Sequence, residues 1–81
     1  MISAGTTEKG DVLVKIENSE KREIIVNSKL ERLYGKAIRA TVEEMTEGID
    51  AKITVEDFGA LDWVLRARLE AAIRKYGGER E

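Results

Sequence analysis

Residues 51–56 alternate without a break: Ala51, Ile53 and Val55 are apolar, and Lys52, Thr54 and Glu56 are polar. A period of two is the mark of a strand with one face buried and the other wet. The buried face needs a cover, and in a chain of 81 residues that cover has to come from helices of the same domain. Two further stretches repeat the strand pattern. Residues 11–17 put Val12, Val14 and Ile16 on one face and Leu13, Lys15 and Glu17 on the other, and residues 22–27 bring Ile24 and Val26 together. Asn18-Ser19-Glu20-Lys21 reads as a hairpin loop between them, so the two are expected to pair antiparallel.

The helical period appears twice. Ser28-Lys29-Leu30-Glu31 has the form of a capping box, and a stripe of Leu30, Leu33, Tyr34, Ala37, Ile38, Thr41, Val42 and Met45 follows it, with Gly48 as the stop signal. The second helix is expected over about 60–76, with Leu61, Val64, Leu65, Leu69, Ala72, Ile73 and Tyr76 buried and Gly77-Gly78 ending it. Asp57-Phe58-Gly59 is the turn before it, with Asp57 as a candidate cap. The expected fold is α+β, a two-layer sandwich in the order β-β-α-β-α, with a small, mainly antiparallel sheet covered on one face by two helices. Residues 1–10 are expected to be a flexible arm, residues 11–77 the single domain and residues 78–81 a frayed tail.

Composition narrows the chemistry. The chain has no cysteine and no histidine. Disulfides, His/Cys zinc sites, thiol nucleophiles and His general bases are therefore excluded. A net charge of −2 with no dominant basic patch argues against nucleic acid. No apolar run approaches the roughly 18–20 residues of a membrane span, and the first ten residues lack a leader pattern, so the expected location is the cytoplasm. Glu43-Glu44 are adjacent acids on a helix. They diverge by about 100° and do not make an acid–base dyad by spacing alone. No phosphate loop, serine-triad motif or metal signature stands in the sequence.

Two stretches carry a resemblance. The first is Ala4-Gly5-Thr6-Thr7-Glu8-Lys9-Gly10-Asp11, and the second is Gly59-Ala60-Leu61-Asp62-Trp63-Val64-Leu65-Arg66-Ala67-Arg68-Leu69-Glu70-Ala71. With Asn27-Ser28 and Ala37-Ile38-Arg39 between them, they resemble the acyl carrier (gamma) subunit of citrate lyase over residues 4–76. The resemblance implies a non-catalytic subunit. In that family a serine before Gly-Asp carries a phosphoribosyl-dephospho-coenzyme A arm in phosphodiester linkage, attached by a prosthetic-group transferase. The arm's thiol offers an acyl thioester to a transferase (alpha) subunit and a lyase (beta) subunit. The implied site is Thr6, Thr7, Lys9, Gly10 and Asp11. This chain departs from the pattern at one point, for Lys9 stands where the family has its serine. An amine cannot make that phosphodiester, so either a neighbouring hydroxyl, Ser3, Thr6 or Thr7, serves instead or the chain is an unmodified scaffold or binding module of the same fold. The related carrier of malonate decarboxylase has the same arm and the same serine before Gly-Asp.

The second stretch has a plain structural reading and a docking one. Asp62 with Arg66, and Arg66 with Glu70, are i,i+4 pairs that suit a salt-bridged helix face. Asp62, Trp63, Arg66 and Arg68 are the candidate docking residues, the arginines for acidic or phosphate groups of a partner. Trp63 lies about 200° around the helix from Leu61. It is therefore either a flank of the core or an interface anchor.

Overall fold

The computed structural model describes residues 1–29 and 31–80. Its elements are β1 (Ile2–Gly5), β2 (Val12–Asn18), β3 (Glu23–Ser28), α1 (Glu31–Met45), β4 (Ala51–Asp57) and α2 (Asp62–Arg80). The strands form one mixed sheet in the order β1-β2-β4-β3. Helix α2 packs on β1 and β2, helix α1 packs on β3, and the two helices touch each other. This is the expected α+β sandwich with one strand added. Val12, Val14 and Ile16 of β2 and Ala51, Ile53 and Val55 of β4 are fully buried. Against them lie Val42 from α1 and Leu65, Leu69, Ala72 and Tyr76 from α2. The alternation in the sequence is thus the division between helix-covered and open faces of the sheet.

Several expectations need correction. In place of a flexible arm over residues 1–10, Ile2–Gly5 pairs antiparallel with β2, and Ala4 is buried opposite Val14. The expected hairpin of neighbouring strands does not form: β4 lies between β2 and β3, antiparallel to the first and parallel to the second. The cause is the connection. Strand β3 reaches β4 through a helix, and such a crossover lays two strands side by side in parallel. The short link over residues 19–22 still suffices, because each residue spans up to roughly 3.3–3.6 Å and two strand spacings amount to only about 10 Å.

Helix α1 buries Ile38, Thr41 and Val42, but Leu33, Tyr34 and Ala37 are exposed. Helix α2 begins beside Thr41, whose hydroxyl donates to Asp62 at 3.4 Å, and the helices then run alongside as far as Arg66 and Glu44. Leu33, Tyr34 and Ala37 precede that contact along α1. Leu61 is exposed for the same reason, lying just before α2. Leu30 and the side chain of Glu31, and with them the stripe's first residue and the capping box, lie outside what the structure describes. Helix α2 also runs through Gly77 and Gly78 to Arg80. Neither glycine adopts the positive φ of a helix-ending cap.

Long cations reach the outer strands. Arg39 donates to the carbonyl of Ile24 on β3 at 3.1 Å, and Lys75 donates to the carbonyl of Ser3 on β1 at 3.1 Å. Charged side chains over an edge oppose the addition of another strand.

Candidate functional site

Strand register gathers three loops at one end of the sheet. Val12 stands opposite Asp57, and Ser28 stands opposite Asp57 on its other side. The β1–β2 loop, the start of α1 and the β4–α2 loop therefore meet there. Asp57 is buried and ties two of them: its Oδ1 accepts from the amides of Gly59 (3.2 Å) and Ala60 (2.9 Å), and its Oδ2 accepts from the Ser28 hydroxyl (3.0 Å). Asp57 thus fixes the loop ahead of α2 and does not cap the helix itself. The first helical acceptor is the carbonyl of Leu61.

The loop over residues 6–11 is held by the residues at its two ends. Gly5 and Gly10 have φ of 97° and 88°, a region that favours glycine. The Thr6 hydroxyl donates to Asp11 Oδ2 at 2.7 Å and accepts from the Glu8 amide at 3.2 Å. Asp11 Oδ1 accepts from the amide of Val12 at 2.7 Å. Arg68 from α2 grips both oxygens of the same carboxylate, Nε to Oδ1 at 3.1 Å and Nη2 to Oδ2 at 2.9 Å, in the fork geometry that guanidinium and carboxylate share. The Gly10 amide donates to the Phe58 carbonyl at 2.8 Å, and the Phe58 amide donates to the Asp11 carbonyl at 3.0 Å. The β1–β2 loop is thereby bound both to α2 and to the β4–α2 loop.

Asp11 shows the electrostatic result. The hydrogen bonds from Arg68, then Thr6, then the Val12 amide hold its carboxyl at about 2, below the ordinary 3.8. A depressed carboxyl stabilises the fold while ionised and loses that contribution as pH falls through its folded value. The melting temperature is therefore expected to fall between about pH 4 and pH 2. Asp11→Asn should flatten that part of a pH-melting profile, and an unchanged profile would remove Asp11 as a stabilising group.

The apex is different. Thr7, Glu8 and Lys9 are exposed, and their side chains contribute no hydrogen bond or ion pair to the loop. Lys9 borders two grooves. One runs past Glu8, Trp63 and Ala67, and the other past Thr7, Asp57 and Gly59. The structure thus brings Lys9, Gly10, Asp11, Trp63 and Arg68 to one groove. Asp62 and Arg66 look instead toward α1: Arg66 donates to Asp62 at 2.8 Å and lies 3.7 Å from Glu44. Trp63 is 69 % exposed, which decides between core flank and free surface in favour of the surface.

Sequence reasoning missed Gly5, Ser28 and Phe58 as parts of this site. An ideal Cβ at Gly5 would overlap the Val12 carbonyl oxygen and come within 3.4 Å of Arg68 Cδ. The glycine is therefore required by close approach as well as by φ. Among the described residues no group of His, Cys, Asp and Glu could hold a metal ion, and no helix is long and apolar enough to cross a membrane.

A family model described as acyl carrier protein, malonate decarboxylase delta subunit (MdcD), matches residues 1–76. Citrate lyase acyl carrier protein 1 of Salmonella paratyphi A is 40% identical over 80 residues, covering 93% of this chain and 82% of that protein. No solved structure matches. With a model matching residues 1–76 and a 40% identical relative covering 93% of the chain, the chain belongs to the acyl carrier protein family of the malonate decarboxylase delta subunit and the citrate lyase carrier.

Proposed function

We propose that this chain is the non-catalytic carrier subunit of a cytoplasmic citrate lyase-like complex, offering its 6–11 loop to a transferase (alpha) and a lyase (beta) subunit. The observation that supports this best is the loop itself. Its ends are fixed by Gly5, Thr6, Gly10, Asp11 and Arg68, while the side chains of its apex, Thr7, Glu8 and Lys9, are exposed and make no bond to the rest of the loop. A rigid base under an uncommitted apex suits presentation to other proteins, and the lack of cysteine and histidine suits a subunit that leaves bond-making to others.

The family reading adds the phosphoribosyl-dephospho-coenzyme A arm, which would supply the thiol for an acyl thioester and be attached by a prosthetic-group transferase. That linkage needs a hydroxyl. The residue ahead of Gly10 and Asp11 is Lys9, and its amine does not fit the bond. Lys9 thus favours a second reading, in which the same fold docks in the complex without an arm.

Both readings are tested by recovering the tagged chain from its native host and identifying co-purifying proteins by peptide mass. Transferase and lyase subunits are expected. Folded protein that arrives without them sinks both readings. Trp63 is the expected anchor. Trp63→Ala should change stability by no more than about 0.5 kcal/mol, as exposed positions do, yet weaken subunit binding by roughly tenfold or more. A large fall in melting temperature with unchanged binding would assign Trp63 to the core.

A further inference from the structure

We infer that this chain is an arm-free member of its family, and that residue 9 alone separates it from a loadable carrier. The inference rests on the carrier reading of the 6–11 loop.

The first support is that the loop is specified without residue 9. The positive φ values lie at Gly5 and Gly10, the side-chain bonds lie at Thr6, Asp11 and Arg68, and the cross-loop backbone bonds join Gly10 and Asp11 to Phe58. The Lys9 side chain enters none of these contacts and is exposed. The fold is thus indifferent to what stands there.

The second support is position. Among the described residues, Lys9 alone borders both the Trp63 groove and the Asp57–Gly59 groove. A group tethered at this position would have both grooves within reach. The place for presentation is therefore built, and only its chemistry differs. An amine joined to phosphorus would give a phosphoramidate, which is more labile than a phosphodiester.

The third support is that the nearby hydroxyls are badly placed to substitute. The Thr6 hydroxyl is engaged twice, as donor to Asp11 and as acceptor from Glu8. Ser3 lies within β1 opposite Lys15, away from the loop. Thr7 is exposed and lines the Asp57–Gly59 groove but not the Trp63 groove.

The test uses the full chain and Lys9→Ser. Each is incubated with a citrate lyase prosthetic-group transferase and the triphosphoribosyl-dephospho-coenzyme A donor, with the Salmonella carrier in a parallel reaction as the loaded control. Intact mass and peptide mapping are read. The unaltered chain is expected to keep its own mass, and Lys9→Ser to gain one arm mapped to position 9. The two melting temperatures should agree within roughly 4 °C, since an exposed substitution changes stability by no more than about 0.5 kcal/mol. An arm found on the unaltered chain, at Thr7, Thr6 or Ser3, overturns the inference and leaves the carrier reading standing. A folded Lys9→Ser that stays unloaded while the control is loaded also overturns it, because more than residue 9 then separates the two. Co-purification with lyase subunits reports on the carrier reading independently of either mass.

Discussion

Gly5→Ala is expected to lose more than about 3 kcal/mol and to lower the melting temperature by roughly 12–24 °C. Two penalties add at this position. A φ of 97° is strained for any residue with a Cβ, at roughly 1–2 kcal/mol. The new Cβ would also overlap the Val12 carbonyl oxygen, which is backbone and cannot swing aside. Relief requires β1 to part from β2 where Gly5 pairs with Leu13, and that movement carries Thr6 away from Asp11. Gly10→Ala is the informative control, for it has a similar φ of 88° but open space around it. Its loss should be confined to the smaller strain term. Thermal melts of the two variants give the comparison, and equal losses would show that close approach at Gly5 contributes nothing.

Leu69→Ala is expected to destabilise by roughly 2–5 kcal/mol, the range for a buried leucine truncated in a packed core. Even the lower figure lowers the melting temperature by roughly 8–16 °C. Leu69 is completely buried on the helix that covers β1 and β2. It also follows Arg68 directly, so the helical turn that anchors α2 is the turn that holds the Asp11 carboxylate. Amide exchange at Gly10 and Phe58, whose bonds tie the two loops together, should therefore quicken along with the global loss. A melting temperature within a few degrees of the unaltered protein would contradict the packing described above.

The parts legible in the sequence are those with a period. Ala51 through Glu56 and Val12 through Glu17 declared themselves as half-buried strands, and Leu65, Leu69, Ala72 and Tyr76 as a helix face. Strand β1 was illegible because Ile2-Ser3-Ala4-Gly5 is short and made largely of small residues. Strand order was illegible because no local pattern tells β3 that β4 will lie beside it. The exposure of Leu33 and Tyr34 depends on where α2 begins, and their own spacing says nothing of that. At the site, the loop and the α2 stretch could each be picked out. Their joining could not, for Arg68 and Asp11 stand 57 positions apart, and the demand for glycine at position 5 arises only once Val12 folds back over it.

The placing of β4 bears on how the protein is made. One of the two interior strands, β4 is also the last strand to leave the ribosome, after β1, β2, β3 and α1. A nascent chain emerged only through Asp50 has a strand pair and one helix but nothing to join β2 to β3. Residues 51–57 supply the backbone partners of both β2 and β3 along their inner flanks. Closure of the sheet is thus deferred until residues 51–57 have been made, and the loop end of the molecule, which needs Asp57, Phe58 and Arg68, takes shape only once β4 is in place.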